Sequence, residues 1–218
     1  MRIAPKSKLV MIGDSITDVE RARPIGEGLF GALGKGYVAY VDGLLASAYP
    51  AHRIRVVNVG TSGNTVRDLK ARWQTDVLDL KPDWLSIMIG INDVWRQFDS
   101  PLRTEIHVGL DEYQRTLEEL VAATKPSLKG LVLMTPFYIE TNRQDAMRAQ
   151  MDRYGAAVGA VAKKHGAILV DMQAAYDRVL AHGHSAGLAW DRVHPTHVGH
   201  MLMARAFLDG IGYEWRGE

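Results

Sequence analysis

Cysteine is absent from the 218 residues, which excludes a disulfide frame, thiolate-bound zinc and a cysteine nucleophile together. Charge of one sign is lacking too: 26 Lys and Arg against 25 Asp and Glu leave a formal net charge of +1. So balanced a chain has no broad field for nucleic acid or acidic surfaces, so no nucleic-acid partner is expected and recognition rests on shape. No run approaches the roughly 18 apolar residues of a membrane span. The first apolar stretch breaks at Gly13-Asp14, short of the about 7–15 apolar residues and small-residue cleavage site of a secretory signal. The expectation is a soluble, cytoplasmic protein with no membrane partner.

What is present suits one domain spanning 1–218, with 47% hydrophobic residues to fill a single core. Short apolar runs bounded by Gly, Asn, Asp or Pro occur at Lys8 to Ile12, Ile54 to Asn58, Trp84 to Ile89, Leu131 to Met134 and Ala167 to Val170. Each reads as a strand buried on both faces. Between them, Val66 to Leu80, Asp111 to Thr124, Met147 to His165 and His197 to Leu208 carry apolar residues at helical spacing. Strand–helix alternation implies parallel strands with right-handed crossovers, hence an α/β domain, a three-layer α/β/α sandwich. Ligands of such sheets gather at the carboxyl ends of the strands. There lie Gly13-Asp14-Ser15, Asn58-Val59-Gly60, Gly90-Ile91-Asn92-Asp93 and Thr135-Pro136-Phe137.

Ser15, directly after the first strand, is placed to act as a nucleophile at a helix N-terminus; it, or Asp14, can equally serve as a helix cap. A serine needs an imidazole to take its proton, and the imidazole needs a carboxylate on its other nitrogen. Asp191-Arg192-Val193-His194 offers both on one turn, although a cap and a surface histidine fit the same residues. Acyl transfer also needs donors for the developing oxyanion. Asn92 can supply an amide there, and Gly60 and Gly63 allow close backbone approach. As single residues, Asn92 reads as a turn former and the glycines as loop formers. The convergence of all these groups on one side of one sheet is what favours chemistry.

Two decoys compete. Gly183-His184-Ser185-Ala186-Gly187 fits the Gly-x-Ser-x-Gly elbow, but that elbow needs a strand before it and here a helical pattern, Met172 to Leu180, precedes Ser185. His194, His197 and His200, with His182 and His184 upstream, suggest a metal site. Pro195 puts His194 ahead of the helix, so no shared face forms, and no metal is expected. Trp95, Phe137, Tyr138 and Trp190 cluster near the site in sequence. Trp190, Trp95 and Tyr138 are the candidate pocket residues, although most such aromatics pack the core.

The motifs resemble the SGNH (GDSL) hydrolase superfamily over nearly the whole chain. Its blocks appear in order as Gly13-Asp14-Ser15-Ile16, Asn58-Val59-Gly60-Thr61-Ser62-Gly63-Asn64, Gly90-Ile91-Asn92-Asp93 and Asp191-Arg192-Val193-His194-Pro195. The resemblance implies a flavodoxin-like sandwich with a five-stranded parallel sheet and no cofactor. It makes Ser15 the nucleophile, His194 the general base and acid, and Asp191 its orienter. The oxyanion hole would comprise the Ser15 amide, the Gly63 amide and the Asn92 side chain. Gly13 to Asp18, Ser62 to Asp68, Ile89 to Arg96 and Ala189 to Pro195 look like the intracellular bacterial acetylxylan esterases of this superfamily. That likeness implies a small acetylated carbohydrate, xylo-oligosaccharide, as substrate, and a homo-oligomer that can reach a ring-like octamer. Ala181 to Leu188 looks least like that group, and Trp215 is a candidate interface anchor that local packing explains equally well. Other acyl esters, and a carbohydrate-binding protein without catalysis, remain the alternatives.

Overall fold

A computed structural model describes residues 1–215. Five parallel strands, β1 (Lys8–Gly13), β2 (Arg55–Asn58), β3 (Trp84–Met88), β4 (Gly130–Met134) and β5 (Ile168–Val170), form one sheet in the order β2-β1-β3-β4-β5. Register runs Val10 beside Val57 and Leu85, and Leu85 beside Leu131. The helices are α1 (Ser15–Asp18), α2 (Tyr37–Ala48), α3 (Val66–Trp73), α4 (Ile91–Asp99), α5 (Leu110–Thr124), α6 (Ala146–His165), α7 (Met172–Leu180), α8 (Ser185–Leu188) and α9 (His197–Gly210). One layer is built on α2, α7, α8 and α9, and the other on α3, α4, α5 and α6, so the three-layer α/β/α sandwich expected from alternation is the fold.

Central strands β3 and β4 are buried throughout, because helices cover both faces and every side chain must be apolar or small. Gly130 belongs to this packing: a Cβ there would fall 2.4 Å from the Trp84 ring. The edges deviate from the sequence reading. Ile54 and Ala167 lie outside β2 and β5, and Leu169 is 44% exposed where the sheet ends. β3 stops one residue early, since the Ile89 carbonyl accepts from the Tyr113 hydroxyl at 2.8 Å instead of extending the ladder.

The helical pattern Val66 to Leu80 also differs. Regular α-helix ends at Trp73, and Gln74–Leu78 form a wider π turn in which the Asp79 amide reaches back to the Gln74 carbonyl. Val66, Leu69, Trp73 and Val77 all remain buried along this path. The order of the strands reverses between β1 and β3, which opens a crevice at their carboxyl ends. Into that crevice the chain sends the turns after β1, β2 and β3.

Candidate active site

Asp14 caps α1, accepting from the Ile16 amide at 3.0 Å, and places Ser15 as the first residue of the helix. The Ser15 amide therefore has no intrahelical acceptor. Its Oγ lies 3.0 Å from Nε2 of His194, 179 residues later in the chain. The Nδ1 of that imidazole lies 2.6 Å from Asp191 Oδ2. Asp191 Oδ1 meanwhile accepts from the amides of Val193 at 2.9 Å and His194 at 2.7 Å, so one carboxylate shapes the turn and holds the ring. Partial burial opposes the Asp191 charge. The His194 side chain and the His194 and Val193 amides outweigh it and hold the carboxyl below the usual range. With Asp191 ionised, the proton of a neutral His194 sits on Nδ1, which leaves Nε2 free to accept from Ser15.

The turn carrying His194 is braced from outside the sequence motif. Arg192 adopts φ 63°, its carbonyl accepts from the Ile139 amide at 3.0 Å, and its guanidinium pairs with Glu140 at 2.5 Å. Trp95 presents its ring to His194 edge-on, with centroids 5.8 Å apart, and Trp190 stands 88% exposed beside Asp191. Tyr138 is half-buried, its amide held by Gln173 at 2.8 Å, in the segment that meets Arg192. Phe137 is core, packed on Tyr176 at 4.5 Å.

Asn92, the second residue of α4, is buried, with Nδ2 donating to the Asn64 carbonyl at 3.0 Å and Oδ1 accepting from Arg96 at 3.3 Å. Those partners fix which way the amide faces and leave its second N–H unspent. The loop after β2 is joined to the nucleophile turn by the Thr61 amide, 3.0 Å from the Gly13 carbonyl. Gly60 and Gly63 differ in what they permit. A Cβ on Gly60 would fall 2.4 Å from the Asp18 amide, so the close approach is to the nucleophile segment itself. Gly63 has open space around it and is glycine for its φ of +80°.

Asp18, the last residue of the Gly13 to Asp18 motif, and Arg21 and Arg23, which no local pattern marks, clamp the same loop. Asp18 accepts from Ser62 amide and hydroxyl, both at 2.9 Å, and pairs with Arg23 at 2.5 Å. Arg21 donates to the Gly60 carbonyl at 2.6 Å, and Arg23 to the same oxygen at 3.0 Å. The two arginines meet a backbone carbonyl of a distant segment, and Asp18 meets Ser62 of that segment, pairings that residue type and spacing do not encode.

The decoys are placed elsewhere. Ser185 begins α8, which follows α7 with no strand before it. His194 turns to Ser15, while His200 is buried with Nδ1 accepting from the Tyr37 amide at 3.3 Å. Burial, then the His194 charge, lowers the His200 pKa to about 4. His197 lies in an apolar groove with Tyr40, Val198 and Met201. Among the described residues no three His, Cys, Asp or Glu side chains are grouped to hold a metal ion.

The model of the GDSL-like lipase/acylhydrolase family matches residues 11–202. The chain belongs to that family. Within it, the chain is 63% identical over 215 residues to an acetylxylan esterase from Geobacillus stearothermophilus, covering 99% of this chain and 98% of the relative. The crystal structure of that esterase, Axe2, superposes with a TM-score of 0.97 over 99% of this chain and 98% of its own. LAE5, described as an alpha/beta hydrolase enzyme from the metagenome of Lake Arreo, is 58% identical with a TM-score of 0.96, over 97% and 98% of the two chains. Solved forms of the Geobacillus esterase include catalytic mutants in which a serine, a histidine and an aspartate are each replaced by alanine. As a GDSL-like acylhydrolase, the chain is a carboxylic ester hydrolase with the five-stranded parallel fold of those relatives.

Proposed function

We propose that this chain is a serine esterase that removes acetyl groups from acetylated xylo-oligosaccharides. The observation that carries the mechanism is the unbroken line from Ser15 Oγ through His194 to Asp191. The substrate class is supported by 63% identity to an acetylxylan esterase over almost the whole chain.

His194 Nε2 takes the Ser15 hydroxyl proton as Oγ attacks the acetyl carbonyl carbon. Asp191 stabilises the imidazolium that results and holds its orientation. The carbonyl oxygen becomes an oxyanion, and the donors available to it are the Ser15 amide, the Gly63 amide and the free N–H of Asn92. The tetrahedral centre collapses, the sugar hydroxyl leaves with the proton from His194, and Ser15 carries the acetyl group. Water, deprotonated by the same imidazole, attacks that ester. Acetate departs and the proton returns to Ser15.

Trp190, exposed and next to Asp191 in the chain, and Trp95, edge-on to His194, offer flat apolar faces of the kind sugar rings pack against, and we assign Tyr138 to the substrate pocket with them. Acetate release from acetylated xylo-oligosaccharide, set beside acetylated chitin and pectin fragments, tests the substrate. The xylo-oligosaccharide should give the highest kcat/KM, and a higher value on either other sugar, or on octanoyl esters, overturns this choice. A cytoplasmic location belongs to the same proposal, as does a homo-oligomer, in its fullest form a ring-like octamer. The assembly is supported by apolar surface left uncovered on the single chain, including Trp190, Met201 and Trp215. Light scattering on the purified chain that returns a monomer removes it.

A further inference from the structure

Arg72 lies on the second turn of α3, outside every motif of the sequence, with its side chain only 16% exposed. Its Nε donates to Asn64 Oδ1 at 2.7 Å, its Nη1 to the Val59 carbonyl at 2.6 Å, and its Nη2 to the Gly13 carbonyl at 2.9 Å. Asp76, one turn on, accepts from Nη1 at 2.5 Å and fixes the plane of the group. Three of these acceptors belong to the two segments that meet at the site. Gly13 immediately precedes the Asp14-Ser15 turn, whereas Val59 and Asn64 bracket the loop that contains Gly63.

We infer that Arg72 is a positioning residue that sets the spacing between the nucleophile turn and the oxyanion loop. The inference rests on the proposed acyl-transfer reading of this site. Asn64 is the link. Its side-chain oxygen is held by Arg72, and its carbonyl holds Asn92 Nδ2 at 3.0 Å. One guanidinium thus governs the first loop directly, the second through Val59 and Asn64, and Asn92 at one remove. Only a planar fork with five donors serves three acceptors in three directions; a lysine ammonium on a flexible stem meets fewer of them. Without the fork, Asn64 is free to turn, Asn92 loses its fixed acceptor, and the Gly63 amide drifts from Ser15. A misplacement on the scale of 1 Å in such a constellation lowers turnover by about 100-fold. Arg72 makes no hydrogen bond to His194 or Asp191, so the Ser15–His194–Asp191 line keeps its own contacts.

The test compares Arg72→Ala, Arg72→Lys and a control on the same helix, Lys70→Ala, whose parent side chain is solvent-exposed and pairs with Glu119. Each is assayed for kcat and KM on p-nitrophenyl acetate, pH profile and unfolding midpoint. In Arg72→Ala, kcat should fall about 100-fold with KM within about threefold. Millimolar methylguanidinium should restore part of that rate by refilling the vacated space, and Arg72→Lys should retain about a tenth of the parental kcat. A folded Arg72→Ala with kcat within about threefold of the parent overturns the inference. So does a loss expressed in KM alone, or an equal loss in Lys70→Ala. If Arg72→Ala does not fold, Arg72→Lys decides: a parental kcat there overturns it. A folded parent chain with no esterase activity is a different result, and it defeats the reading of the site on which the inference rests.

Discussion

The hydroxyl of Ser15 meets the His194 imidazole at 3.0 Å, and almost the entire chain lies between them in sequence. Neither group is reactive by itself; the carboxylate of Asp191 makes the pair directional by holding the proton on Nδ1. Asp191→Asn should keep the turn yet present the wrong tautomer, lowering kcat by about four orders of magnitude with the fold retained by circular dichroism. Asn92→Ala should lower kcat by about 100- to 1000-fold with little change in KM, the signature of a donor used in the transition state. The pH dependence has a definite sign. A base must be neutral to take the Ser15 proton, so a histidine base makes turnover fall on acidification. Asp191, held below the usual carboxylate range, stays ionised through that fall. A flat profile into strongly acidic conditions contradicts a histidine base.

At the scale of elements, the strands that position the site were the most legible part of the sequence. β1, β3 and β4 are continuous apolar runs because both faces are covered. The turns leaving β1, β2 and β3 carry Ser15, Gly63 and Asn92, so locating the strands located those candidates. Edges and irregular turns were less legible. A half-covered β5 blurs its own boundary, and the π turn after Trp73 keeps the same buried spacing a regular helix would. Least visible were the clamps, Asp18 on Ser62, Arg21 on Gly60 and Arg72 on three carbonyl or amide oxygens, because partners far apart in sequence, many of them backbone atoms, leave no trace in composition. Gly60 tests the clamp between two of these turns. Gly60→Ala drives a Cβ into Asp18 and Thr17 backbone atoms that cannot swing aside. A loss of about 1–3 kcal/mol in denaturant unfolding, with reduced kcat, is expected. Gly63→Ala meets no atom within 4 Å and pays only for its left-handed backbone, about 1–2 kcal/mol. Equal stability of Gly60→Ala and the parent contradicts the packing account.

Across the whole molecule, two carboxyls lie beneath the active face where water does not reach. Burial pushes Asp14 up to about 7, against the opposing pull of the Ile16 amide and the His194 charge. Burial likewise pushes Asp93 up to about 7, opposed by the Val66 amide. Asp93 Oδ2 is a buried oxygen with no partner. Both folded values lie above the ordinary aspartate value of 3.8, so between those limits these two carboxyls hold more protons in the folded chain than in the unfolded one. The stability these two groups contribute is therefore greatest at the acidic end of that window and declines as pH rises towards about 7. Asp93→Asn removes one of the two titrations. Its unfolding free energy should fall less steeply than the parent's between pH 5 and 7, by on the order of 1–2 kcal/mol over that interval. Parallel curves for the two proteins contradict a buried, proton-binding Asp93.

The fold brings Ser15 to His194 so that the hydroxyl becomes a nucleophile. The most direct measurement is intact mass after exposure to a fluorophosphonate, made on the parent chain, Ser15→Ala and His194→Ala. A single covalent adduct is expected on the parent, mapped to Ser15, with none on Ser15→Ala and strongly slowed labelling of His194→Ala. An unlabelled parent, or an adduct that persists in Ser15→Ala, contradicts it.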